Sequence, residues 1–214
     1  MLRRFKSVLK DNKNISMRFI IDLPWQFPSH SFQFLIDEYE IYKELGVVGI
    51  SMGGDEFYAR PKEVAKIFRS ARKVGLKLLC HAGETTENKF AIDMIKELKP
   101  DRIAHGISIA DWLIHEGHKY AIIDTCLTSN LKIGIVKDIK RHPMRKWLEN
   151  NITFTLSTDD PAIFNTTLND EYKLAEESFD QFEKYIDNYM NYTIEAAFDK
   201  EAAQNILNND KTEN

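Results

Sequence analysis

Six short apolar runs, rich in β-branched residues and separated by stretches of helical spacing, constrain this chain more than any other feature. They cover residues 16–23, 46–52, 76–80, 102–104, 120–125 and 152–156. Between most of them lie amphipathic segments: residues 61–73 place Val64, Ile67, Phe68 and Ala71 on one face, and residues 88–98 do the same with Phe90, Ile92, Ile95 and Leu98. Strand, helix, strand without long low-complexity linkers predicts a parallel sheet, because parallel neighbours need a crossover that a helix supplies. Strands that read as continuous apolar runs are buried on both faces, so the sheet is expected to be a barrel wall or a doubly wound layer. A glycine-rich phosphate loop would favour the second, and the chain has neither GxGxxG nor GxxxxGK followed by Ser or Thr. From Thr167 onward the pattern turns to helices alone, carried by Tyr172, Leu174, Phe179 and Phe182 and then by Ile194, Ala197, Phe198, Ala202 and Ile206. That tail is predicted to pack against the sheet, with the polar residues 208–214 frayed.

At 214 residues the chain is expected to form one domain over its full length, 1–214. Charged residues make up 29% of it and the formal net charge is -4, with acids and bases interspersed. A nucleic-acid or anionic-membrane partner calls for a concentrated basic face, so neither is expected. The basic start, Arg3, Arg4, Lys6 and Lys10, is short and is met at once by Asp11. No apolar run is long enough to span a bilayer, and no signal-peptide core follows Met1-Leu2-Arg3-Arg4. Cys80 and Cys126 both lie in apolar runs, which predicts buried thiols and a reducing cytoplasm.

Polar chemistry collects where the runs end. Gly53-Gly54-Asp55-Glu56 follows the second, His81-Ala82-Gly83-Glu84 the third, His105-Gly106 the fourth, Thr128-Ser129-Asn130 the fifth and Ser157-Thr158-Asp159-Asp160-Pro161 the sixth. Each has a plain structural account: Asp55 or Asp159 as a helix N-cap, His105 as a satisfied core histidine, Asp160-Pro161 as a helix start. Taken together they point elsewhere, because the ends of parallel strands converge on one crevice and bring two imidazoles and several carboxylates together. Such a set suits a divalent metal, zinc foremost, with one position left to water. The metal makes that water acidic near neutral pH, and a neighbouring imidazole or carboxyl moves the proton, which is metal-assisted hydrolysis.

The segments His81-Ala82-Gly83-Glu84, Arg102-Ile103-Ala104-His105-Gly106 and Ser157-Thr158-Asp159-Asp160-Pro161, in this order and spacing, resemble the adenosine deaminase family of the amidohydrolase barrels. Gly54-Asp55-Glu56, the stretch from Cys126 to Asn130, and Ala162-Ile163-Phe164 with Thr167-Leu168 and Glu171-Tyr172 are similar too, so the resemblance runs from about Ser16 to Leu207. It implies an α/β fold, a parallel (β/α) barrel of the metal-dependent hydrolase type with C-terminal helices. It implies hydrolytic deamination of adenosine or deoxyadenosine in purine salvage, with Zn2+ held by His81 and Asp159. Glu84 would protonate N1 of the purine and His105 would orient the attacking hydroxide; Asp160 would bond to N7, and the Gly54 amide would meet N3. Asp55 and Glu56 stay open between supporting, gating and purely structural roles.

The chain also departs from that pattern. Members of the family open with a His-x-His strand that supplies two further zinc ligands, and none of His30, His81, His105, His115, His118 or His142 forms one. His115, His118 and His142 do not sit at strand ends. Six strands are two short of the eight that close a barrel of roughly 250 residues. The expectation is an incomplete barrel that lacks its first two βα units, with Met1 inside the helix before the third barrel strand and Asn12-Lys13-Asn14 as its connection. Ser51 stands where an acid is common, and Leu127 where proline is usual. Three explanations compete: a fragment or mis-started reading frame of a full enzyme, half of a split enzyme whose partner chain carries the missing strands, or a degenerate protein that no longer catalyses, a purine-binding module built on a decayed barrel. A 6-aminopurine nucleoside is the expected ligand. The aromatic segment with Trp25, Phe27 and Pro28 is either a wall of its pocket or a hydrophobic surface loop.

Overall fold

A computed structural model describes residues 16–27 and 29–210; the expected N-terminal helix, its connection at Asn12-Lys13-Asn14 and Pro28 lie outside the described residues. Six strands form a single sheet: β1 Phe19–Pro24, β2 Val47–Gly53, β3 Lys77–Ala82, β4 Arg102–His105, β5 Ile122–Thr125 and β6 Phe154–Leu156. They lie in sequence order, each parallel to the next. This is the arrangement that successive right-handed βα units produce in a barrel wall. The strands coincide with the six apolar runs to within a few residues. The difference that matters is at the C-terminal ends, where β3 runs on through His81 and Ala82, and β4 ends on His105 itself. The histidines are therefore held by sheet hydrogen bonds rather than by the loops that follow.

Register aligns the ends. Met52 pairs with Cys80, Cys80 with Ile103, Ala82 with His105 and Thr125 with Leu156. The apolar side chains of the middle strands, Ile50, Leu78, Cys80, Ile103, Ile123 and Phe154, are wholly buried. Helix Pro61–Lys73 forms where its periodicity places it, with proline at its first turn, where no intrahelical N–H bond is lost. It buries Val64, Ala65, Phe68 and Ala71. Helix Asn88–Leu98 buries Ala91, Met94, Ile95 and Leu98, while Phe90 stays 39% exposed, so the expected face is rotated by about a residue.

The C-terminal helices cover the sheet as expected. Helix Tyr189–Ala196 lies against β6, Tyr185 stacks on Phe154 at 4.5 Å, and its hydroxyl donates to the Phe154 carbonyl at 2.7 Å. Phe198 reaches under the sheet, so close to Gly49 that a Cβ there would come within 2.8 Å of its ring. The last helix, Lys200–Asp210, continues through Asn208, which was expected to be frayed. No strand pairs with the outer side of β1 among the described residues. Among the described residues, no helix is long and apolar enough to cross a membrane.

Candidate active site

At the C-terminal ends of β3 and β4, two imidazoles and one carboxylate meet. His105 Nε2 stands 3.2 Å from His81 Nδ1 and 3.6 Å from Glu84 Oε1, and His81 Nδ1 is 3.9 Å from Glu84 Oε2. His105 is 1% exposed and the Glu84 side chain 11%, so water screens these groups weakly. Burial works against protonating His81, but the hydrogen bond it donates to Glu84 and the charges of Asp22, Glu84 and Asp159 outweigh it and raise its pKa. His105, a few ångströms away, moves in the opposite direction: burial pushes it down to about 4. Two imidazoles with opposed charge preferences in one crevice form the pattern that acid–base chemistry uses.

The backbone at the site is strained. His105 has φ of +72° and Asp159 of +57°, a left-handed conformation that costs an ordinary residue about 1 kcal/mol or more. Side chains fixed in this way at two strand ends indicate that their direction matters more than local comfort. Asp159 is not a helix cap; its Oδ2 accepts from Ser129 Oγ at 2.6 Å. Asp160 precedes Pro161, the first residue of helix Pro161–Phe164, and stands at the helix start exposed and with no side-chain cap bond.

Glu56 and Asp55 separate clearly. Asp55 is exposed and caps the short turn Glu56–Tyr58 by accepting from Phe57 N at 3.0 Å, the plain structural account. Glu56 is fully buried and accepts from the backbone of the loop that carries Glu84: from Glu84 N at 3.1 Å, Thr85 N at 3.4 Å and Thr86 N at 3.0 Å, with a further short bond from the Thr86 hydroxyl. Glu171 does the same for the loop after β5, taking Thr128 N at 3.1 Å and Thr166 Oγ1 at 2.8 Å. Gly54, with φ of +76°, makes the turn between β2 and Asp55.

Among the described residues, two groups of donors could hold a metal, each with its ligand atoms within 4.8 Å of one another: His81, Glu84 and His105, and His105, Cys126 and Asp159. The second is the poorer candidate, because burial and the surrounding carboxylates raise the Cys126 thiol well above its usual range and thiol is not thiolate. His81 packs directly against the backbone of β2. Gly53 has no side chain, and a Cβ placed there would come 2.8 Å from His81 Nε2 and 3.1 Å from Asp22 Oδ2. An imidazole under the charges of the Asp22, Glu84 and Asp159 carboxylates fits a hard or borderline dication.

Sequence reasoning missed His142. It is 1% exposed and joins the site through Asn130, whose Oδ1 lies 3.2 Å from His142 Nε2 and whose Nδ2 lies 3.2 Å from His105 Nδ1. The only local signal is a histidine before a proline at a helix start. Trp25 is buried and Phe27 is 56% exposed, so the aromatic segment is part core and part surface.

Comparisons with known proteins agree with this arrangement. A family model described as adenosine deaminase matches residues 13–211. An adenine deaminase of Rhizobium leguminosarum bv. trifolii is 33% identical over 164 residues, covering 75% of this chain and 51% of that protein. An aminodeoxyfutalosine deaminase of Streptomyces avermitilis is 31% identical over 156 residues, 72% of this chain and 44% of that one. The chain thus spans about half the length of the curated relatives it matches. Among solved structures, the Arabidopsis N6-mAMP deaminase shares the fold with a TM-score of 0.78 at 23% identity, over 89% of this chain and 57% of that one. An amidohydrolase from Burkholderia ambifaria with bound Zn does so with a TM-score of 0.77 at 20% identity, over 93% and 57%. The match over residues 13–211, together with the site at the strand ends, shows that this chain belongs to the adenosine deaminase family.

Proposed function

We propose that this site serves the zinc-dependent hydrolytic deamination of a 6-aminopurine: adenosine or deoxyadenosine, as the motifs suggest, or the free base named for the rhizobial relatives. The observation that carries the reading is the meeting of His81, Glu84 and His105 at 3.2 to 3.9 Å, with Asp159 close enough to shift His81. A module that only bound purine would need neither a proton donor nor an imidazole beside it.

His81 and Asp159 would hold the metal, which when bound supplies a Lewis-acidic centre that makes a water molecule acidic near neutral pH. Glu84 in its protonated form hands a proton to N1 of the ring, which makes C6 electrophilic. The weakly screened pocket and the backbone N–H bonds that Glu56 draws from the loop hold Glu84 in place for this step. His105 orients the incoming oxygen and offsets its charge. Asp160 meets N7 and the Gly54 amide meets N3; the oxygen of the water stays on C6, the proton that water gives up goes to the amino nitrogen, and ammonia leaves. The family pattern adds two ligands from a His-x-His strand, which would come with the βα units that close the sheet beyond β1, in the same polypeptide or a separate one.

The test mixes the chain, Zn2+ and a polypeptide carrying such a strand, and follows ammonia release from adenine, adenosine and deoxyadenosine. Release that Glu84→Gln abolishes supports the reading. No release from any 6-aminopurine counts against it. The chain alone is expected to show little or no turnover, and efficient turnover with stoichiometric zinc and no partner would refute that expectation.

A further inference from the structure

A chain of hydrogen bonds runs from the start of helix Met144–Glu149 to the site, and its first link has only one possible direction. The backbone N–H of Met144, among the helix N–H groups that lack an intrahelical partner, donates to His142 Nδ1 at 3.1 Å. A backbone N–H cannot accept, so His142 Nδ1 is bare and the ring proton sits on Nε2. That Nε2 faces Asn130 Oδ1 at 3.2 Å and donates to it. With its oxygen taken, Asn130 turns Nδ2, a donor, toward His105 Nδ1 at 3.2 Å. His105 Nδ1 must then accept, which leaves its proton on Nε2, the atom 3.2 Å from His81 Nδ1 and 3.6 Å from Glu84 Oε1.

We infer that His142 and Asn130 are positioning residues that lock His105 as its Nε2–H tautomer, so that His105 presents a hydrogen-bond donor, not a base, to the reacting oxygen. The parts are rigid. His142, Asn130 and His105 are all buried. Asn130 is held by its own backbone, its N–H to Cys126 O at 3.1 Å and its carbonyl to Val136 N at 3.0 Å, and the His142 ring lies edge-on to buried Trp147 at 6.1 Å. The amide can turn over only by facing two donors or two acceptors, so each link enforces the next. The use given to the Nε2–H rests on the proposed deamination; the tautomer itself does not.

The experiment is nitrogen-15 NMR of the histidine side chains in the 214-residue chain, at neutral pH without added metal, with signals assigned by His105→Gln and His142→Gln. Both His105 and His142 are expected to read as Nε2–H with bare Nδ1. Asn130→Asp replaces the donor by a second acceptor of nearly the same shape, and it is expected to put a proton on His105 Nδ1. A His105 that is Nδ1–H in the unsubstituted chain overturns the inference, and so does one whose Nδ1 stays bare in folded Asn130→Asp. If that variant does not fold, the unsubstituted spectrum decides. Because the readout is the position of a proton and not turnover, this inference and the deamination reading can fail separately.

Discussion

The two ends of the strands solve opposite problems. At the N-terminal ends, charge meets charge: Asp101 lies 3.5 Å from Lys77 and 3.8 Å from Arg72 and accepts from Leu78 N at 2.9 Å, while Arg18 pairs with Asp199 at 2.6 Å. At the C-terminal ends the carboxylates of Glu56, Glu84 and Asp159 meet imidazoles, hydroxyls and backbone N–H groups. The first arrangement is half in water and tolerates exchange, since exposed pairs contribute about 0–1 kcal/mol each. The second is buried, so every member depends on the protonation of its neighbours. A barrel scaffold thus gathers its chemistry, and the buried bonds that hold it, at one end and leaves weak exposed pairs at the other.

The largest effect that could break this contrast is on rate. In any preparation that releases ammonia, Glu84→Gln is expected to slow release by roughly 100-fold to 10,000-fold through loss of the proton donor, while Asp101→Asn changes it less than about threefold. Equal losses would show that the two ends do not divide the work. Next comes stability. Glu56→Ala strands the N–H groups of Glu84 and Thr86 and is expected to cost roughly 2–4 kcal/mol, against about 1 kcal/mol for Asp101→Ala, read from urea unfolding. Zinc should sharpen the difference: it is expected to raise the unfolding midpoint of the chain, His81→Ala should weaken that effect about tenfold in zinc concentration, and Lys77→Ala should leave it unchanged.

A further effect is on pH dependence. Burial lowers His142 to about 3 and His105 to about 4 in the folded chain, against about 6.5 unfolded. Above about pH 6.5 both states leave these rings neutral and nothing changes. Below it the unfolded chain takes up protons that the folded chain refuses, so stability falls with pH by about 1.4 kcal/mol per unit for each ring, until the folded values are reached. His81 acts in the opposite sense: its raised folded pKa contributes stability that is fully present below about pH 6.5 and is lost as the pH rises through the higher folded value. Unfolding curves at pH 7, 6 and 5 should show the net acid loss, and His142→Gln should flatten it by about one ring's share.

Much of this was legible from the residues. The six strands and helix Pro61–Lys73 follow from burial alone, because a run that is apolar throughout, or apolar on one face, has few places to go. His81, Glu84, His105 and Asp159 stood out because strand ends are where a parallel sheet puts its chemistry. What escaped depends on contacts that no local pattern encodes. Phe90 looked like core, yet small Ala91 fills the helix face against its neighbour. His142 reaches His105 only through the Asn130 side chain, and that link exists because Met144 begins a helix where it does. Glu56 is visible as a carboxylate, but that it captures three successive N–H groups is a property of the folded loop.

Phe198 under the sheet has a consequence for how the molecule is made. The ring that sits against Gly49 and over Arg102 belongs to the far end of the chain, and the neighbouring Arg18–Asp199 contact joins residues 181 apart. During synthesis β1 to β4 leave the ribosome long before the segment that closes them from below, so the floor of the sheet stays open until Phe198 has emerged. Contacts of such long separation make folding slow and leave apolar strands exposed until that segment arrives.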